Sequence, residues 1–157
     1  MKTFATAALA AILAGEAIVT GAVQITPATG GDVIRVWGGF GVFPVLGNDY
    51  KPLGDKAFAQ QSGQAIGGVA QGIVLTLSGV ERAALALLDR AEVQGASVVI
   101  YRLIFASDGK TLLDVQVFDR GRGDACDTVD VVGKSASIRY SIESTARSLG
   151  RRGARMR

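Results

Sequence analysis

At 157 residues, 48% of them hydrophobic and 20% charged, the chain has the material for one domain with a single core. It contains no histidine and one cysteine, Cys126, which excludes Ser-His-Asp and Cys-His catalysis, imidazole metal ligation, thiolate metal clusters and an internal disulfide. The net charge of +3 is unevenly placed: Arg147, Arg151, Arg152, Arg155 and Arg157 supply +5, so the residues before them carry −2.

The opening MKTFATAALAAILAG predicts a helix. Alanine is the best helix former, Phe4, Ala8 and Ile12 recur on one face, and Gly15 ends the run. Lys2 followed by apolar residues also resembles the start of a secretory signal, with cleavage after Ala17 as the alternative outcome. The segment is too short to span a bilayer, and no membrane partner is expected.

From Ala17 the texture changes to β-structure. AIVTGAVQIT predicts a strand ending at Pro27, PATGGD a turn, VIRVWGGFGVFPV a second strand broken at Gly38-Gly39, and LGNDY a further turn. KPLGDKAFAQQSG reads as irregular and QAIGGVAQGIVLTLSGV as a long strand. Ser78 and Glu81 stand at capping-box spacing before a helix over 79–93, with Ala84, Leu85, Leu88 and Ala91 as its apolar stripe and Gly95 as its stop. Two hairpins follow. The first turns at Ser107-Asp108-Gly109, the second about Gly133-Lys134, with Ile138, Tyr140 and Ile142 facing one way. STARSLG predicts a short C-terminal helix before the basic tail. The fold class expected is mainly β (α+β): an antiparallel β-sandwich or split barrel with an N-terminal, an internal and a short C-terminal helix. Residues 1–150 form one domain and residues 151–157 a basic tail.

Two glycine-rich stretches imitate phosphate-binding loops and fail on detail. GGFGVFPVLG places Pro44 and Val45 where a dinucleotide fingerprint needs its third glycine and the start of a helix. VGKSAS ends like a P-loop, but Thr128 stands where the first glycine belongs and a strand pattern follows. The acidic run DRGRGDACDTVD lacks the alternating ligands and closing glutamate of a calcium loop, so Asp119, Asp124, Asp127 and Asp130 are expected to decorate an exposed hairpin end. Cys126 is expected to be a small buried or half-buried side chain. The aromatic residues Trp37, Phe40, Phe43 and Tyr50, interleaved with glycine, are expected in the core and interfaces of bent strands.

In the order of its segments the chain resembles the small β-rich tail proteins of long-tailed bacteriophages, prophages and gene-transfer agents. The pieces that carry the resemblance are WGGFG, LTLSGV, VFDRGRGD and SIESTARSLGRR. It implies a non-enzymatic structural protein of the virion, without cofactor or metal, assembled in the host cytoplasm. Such a protein forms a ring at the distal tail or tail tip, a hexamer in preference to a trimer, that joins the tail tube to the baseplate or hub around a DNA channel. Hub proteins of this group can carry cysteine clusters, so a single cysteine fits a distal-tail ring or tip adaptor better. Contacts with sister subunits and neighbours are expected at Trp37, Phe40, Phe43, Tyr50, Arg147, Arg151, Arg152 and Arg155. The acidic body and basic tail can pair head to tail.

Two other classes stay in view. One is an exported periplasmic β-domain that binds a partner after losing a signal peptide. The other is a nucleic-acid binder through Arg147–Arg157, although that tail has no aromatic residue to stack on a base. For an enzyme, no pair of carboxylates, or of tyrosine and lysine, has a defensible spacing.

Overall fold

A computed structural model describes residues 3–52, 73–78, 94–129 and 137–144. They form one helix, α1 (Thr6–Ala14), and eight strands: β1 (Ile18–Thr26), β2 (Ile34–Trp37), β3 (Phe43–Val45), β4 (Asn48–Pro52), β5 (Ile73–Ser78), β6 (Ser97–Phe105), β7 (Leu112–Val129) and β8 (Ser137–Ser144). The fold is therefore mainly β. The expected helices over 79–93 and before the basic tail, and the turn at Gly133-Lys134, lie outside the described residues.

The strands join in the order β3-β4-β2-β1-β6-β7-β8-β5, an open sheet whose end strands β3 and β5 are not neighbours. β-Branched residues build the centre: IVTGAVQIT and SVVIYRLIF pair antiparallel along their whole length, Ile18 opposite Phe105 and Thr26 opposite Ser97. The sheet is mixed rather than purely antiparallel, because β3 carries the chain back along the edge and β4 then runs parallel to β2. Asn48-Asp49-Tyr50, expected as turn, begins this strand; only Leu46 and Gly47 turn, with φ of 50° and 76°. Pro44, without an N–H, stands in the edge strand β3, a position that discourages further pairing.

β7 has 18 residues and two sets of partners. Its first part pairs with β6, from Leu112 to Arg122, and its second part with β8, from Gly121 to Val129. Gly121 and Arg122 pair on both sides. Glycine is required at the crossing, since a Cβ on Gly121 would overlap the Glu143 carbonyl and the Ile142 side chain. A register shift between Gly123 and Ala125 then bends the strand. The DRGRGDACDTV run is thus no hairpin end. Asp119, Asp124 and Asp127 sit within a strand, and Gly121 lets two strands approach β7 closely.

Alternation sorts the core into two clusters on opposite faces. Val23, Ile25, Val98, Ile100, Tyr140 and Ile142 pack on one face, with Ile34 and Val36 against them. Ala22, Trp37, Val45, Tyr50, Leu103 and Phe105 pack on the other. Ala22 and Val23, adjacent in β1, and Val36 and Trp37, adjacent in β2, divide between the two. The burial of Tyr140 and Ile142 agrees with their expected common face.

α1 ends as its sequence predicts, with Gly15 in the left-handed conformation at φ 72° and the Gly15 and Glu16 N–H groups donating to the carbonyls of Ile12 and Ala11. It buries little. Ala8 is fully covered, whereas Phe4 and Ile12, expected on the same stripe, are each more than a third exposed.

Candidate functional site

The Trp37–Tyr50 segment is fixed from beneath by the sheet. Gly38 N donates to Gly21 O at 3.0 Å and Thr20 Oγ1 donates to Gly38 O at 3.0 Å, tying the 38–42 loop to β1. The Trp37 indole closes over Gly39, where any Cβ would overlap the ring, and its Nε1 donates to Gly41 O at 2.8 Å. Its ring centroid lies 5.0 Å from that of Phe43 and 6.1 Å from that of Phe105, and Phe43 meets Phe105 edge-on at 5.3 Å. GGFG is therefore an aromatic clasp in which the glycines make room for the indole.

The four aromatic candidates separate. Trp37 is buried, Phe43 half-buried, and Tyr50 only 1% exposed. Tyr50 Oη donates to Gln24 Oε1 at 3.3 Å. Burial pushes the Tyr50 phenol up, with Tyr101 adding to the shift and Arg35 opposing it, the opposite of an activated phenolate. Phe40 is 79% exposed at the loop tip. So Phe40 is the most exposed of the four, while Trp37 and Phe43 hold the loop that presents it and Tyr50 packs in the cluster beneath. Arg147, Arg151, Arg152 and Arg155 lie outside the described residues.

Other exposed apolar side chains gather at the same end of the sheet. Leu9, Ile12 and Leu13 of α1, Ile18 and Val19 at the start of β1, and Val42 beside Phe40 all stand open, Leu13 at 79%. The registers account for the grouping. Ile18 pairs with Phe105, which pairs with Leu112, so the start of β1, the end of β6 and the start of β7 are level. β2 runs toward this end before entering the 38–42 loop.

α1 is held to this end by polar contacts. Ala5 N donates to Asp114 Oδ2 at 3.0 Å, and Gln116 Nε2 donates both to Thr3 O at 3.0 Å and to Asp114 Oδ2 at 2.7 Å. Val115 N adds a bond to Asp114 Oδ1 at 2.8 Å. Burial works against the Asp114 charge, but the bonds from Ala5, Gln116 and Val115 outweigh it and hold the carboxyl below its ordinary range. The exposed residues of α1 were not singled out by sequence reasoning, although a nine-residue helix without one charged side chain is a signal for them.

The Ser107–Thr111 turn between β6 and β7 is closed by Asp108. Oδ1 accepts from the N–H groups of Lys110 and Thr111, each at 2.9 Å, and Oδ2 from Thr111 Oγ1 at 2.6 Å. These bonds, that of the Thr111 hydroxyl first, lower the Asp108 carboxyl to about 2.

No protein-family model matches the chain, and no match among curated proteins reaches significance.

Proposed function

We propose that the chain is a non-enzymatic structural subunit of a phage-type tail. It forms a ring, a hexamer in preference to a trimer, at the distal tail or tail tip and joins the tube to the baseplate or hub. The observation that carries this reading is the group of exposed apolar side chains, Leu13 and Phe40 foremost, at one end of the sheet, with Leu46 the one large apolar residue exposed at the other end among the described residues. Exposed apolar surface of that kind marks a contact with another macromolecule, and rings are built from contacts that repeat from subunit to subunit. The sequence resemblance supplies the setting, and the arginine run at 147–157 supplies positive charge for an acidic neighbour or for DNA in the channel.

The finer architecture fits the same reading. A sheet with apolar clusters on both faces needs a cover for each, and β7 bends at Gly123–Ala125 where it passes from β6 to β8. A strand that passes between two sheets at a bulge is how a β-sandwich or split barrel turns its corner.

A second reading is favoured by α1, whose own buried residue is Ala8 alone. In that case the chain is an exported β-domain whose signal ends at Ala17.

Gold labelling of a C-terminal tag on particles released from the source cells, with the intact mass of the purified protein, separates the two. Label at the distal end of tails and a full-length chain support the tail ring. A chain that begins at Ile18 and is absent from particles overturns it.

A further inference from the structure

The apolar residues at the open end of the sheet form two sets on opposite faces. Along β7, Asp114 and Gln116 point away from Val115, which packs in the Trp37 cluster. α1 is bonded to Asp114 and Gln116, so it lies over the face opposite to that cluster. The 38–42 loop folds the other way, since Gly39 sits under the Trp37 ring and Gly41 accepts its N–H. One end of the protomer therefore offers a bare helix on one face and a Phe40–Val42 tip on the other.

We infer that α1 of one copy of this chain docks on the Phe40–Val42 tip of the next, and that this head-to-tail junction closes the ring. The inference rests on the ring reading above and assigns its interface. Two different surfaces are what a heterologous contact that repeats around an axis uses, and their place at one level on opposite faces suits a rotation that closes, whereas a two-fold dimer needs one self-complementary patch. The area agrees. Leu9, Ile12, Leu13, Phe40 and Val42 are 44, 38, 79, 79 and 62% exposed, the equivalent of about three fully exposed apolar side chains or roughly 600 Å², and at somewhat over half apolar a junction built on them covers about 1,000 Å². That is the lower limit for a specific interface, suited to a contact reinforced by closure.

A bilayer is the poorer occupant. A helix that lies on a membrane surface carries a charged face, and Thr6–Ala14 has no charged residue. At 1.5 Å per residue it reaches about 14 Å, less than half of a hydrocarbon core.

The test uses the full-length chain and two variants at highly exposed positions, Leu13→Asp and Phe40→Asp, with folding checked through Trp37 fluorescence. Native mass spectrometry and sedimentation velocity are expected to show the unaltered protein in closed rings and each variant as a monomer, with junction affinity reduced at least a hundredfold. An equimolar mixture of the variants is the decisive sample. Each retains the surface the other lacks, so it forms dimers of one copy of each and nothing larger. The inference is overturned if the unaltered chain stays monomeric, if either variant assembles normally, if the mixture stays monomeric, or if the unaltered chain floats with vesicles of phosphatidylcholine and phosphatidylglycerol instead of assembling. Tail-end gold label together with any of these results leaves the tail reading standing and removes only this interface.

Discussion

The Asp114 carboxylate accepts a hydrogen bond from the backbone N–H of Ala5, 109 residues earlier in the chain, at 3.0 Å. Ala5 occupies the N-cap of α1 and has no side chain to satisfy a helix terminus. The cap is lent by a strand, and the same bond fixes where the helix lies. Capping and docking are here one interaction.

Asp114→Ala is expected to loosen α1 while leaving the sheet intact. Amide hydrogen exchange over residues 5–10 should quicken, with a loss of about 1 kcal/mol, the usual cost of a missing cap. The native carboxyl is held below its ordinary range. Its contribution is therefore complete above the unfolded value of about 4 and disappears as pH falls through the native one. Acidification should reproduce the variant's exchange pattern, and the variant should lose most of that pH response.

In the Ser107–Thr111 turn, carboxyl-detected NMR titration should place Asp108 at about 2. Thr111→Val removes the hydroxyl bond, the largest of the lowering interactions, and should raise that midpoint toward the ordinary value of about 4. The sign is the same as for Asp114: the turn is firmest above pH 4 and weakens as pH falls toward 2.

Two glycines should respond differently to alanine. Gly121→Ala drives a methyl into the Glu143 carbonyl and Ile142 at a crossing of three strands, and should cost more than about 2 kcal/mol in urea unfolding. Gly41→Ala meets no atom within 4 Å but requires an alanine at φ 72°, and should cost about 1 kcal/mol. A loss at Gly121 no larger than that at Gly41 would show that Glu143 and Ile142 yield to the added methyl.

Leu46 is the one non-glycine residue with positive φ among the described residues, at 50°, and it is largely exposed. Leu46→Asn is expected to stabilise the domain by roughly 0.5–1 kcal/mol, because asparagine tolerates this conformation in a two-residue hairpin turn. Thermal unfolding reads the gain. A loss would mean that the leucine packs on something that offsets its strain.

Strands rich in Val and Ile were legible from their neighbours in sequence, as were the Ser107–Gly109 turn and the Gly15 helix stop. Polar and glycine-rich strands were legible only in part. Asn48-Asp49-Tyr50 has turn composition, and tertiary pairing overrides it, because β4 fills a slot between β2 and β3; VFDRGRG was legible as a strand arm, but its continuation as one strand to Val129 was not. At the candidate site, sequence could group Trp37, Phe40, Phe43 and Tyr50 but could not separate the exposed member from the buried ones. That depends on which side of Gly39 the indole falls. The Ala5–Asp114 bond left no local trace, because alternation marks Asp114 only as a residue facing away from Val115.

The double pairing of β7 has a consequence for how this chain can change in length. Loops absorb an added or lost residue by bowing outward, and the 38–42 loop and the Ser107–Thr111 turn are open to such edits. A residue gained or lost at the Gly121–Arg122 overlap would invert the side-chain parity of everything beyond it relative to everything before. Ile142, opposite Gly123, and Leu103, opposite Val115, keep their present faces only while that spacing holds. The doubly paired Gly121–Arg122 step is thus a ruler whose length is fixed even where its letters can vary, whereas the irregular pairings at Val117–Asp119 and Gly123–Ala125 mark where β7 already takes up an uneven count.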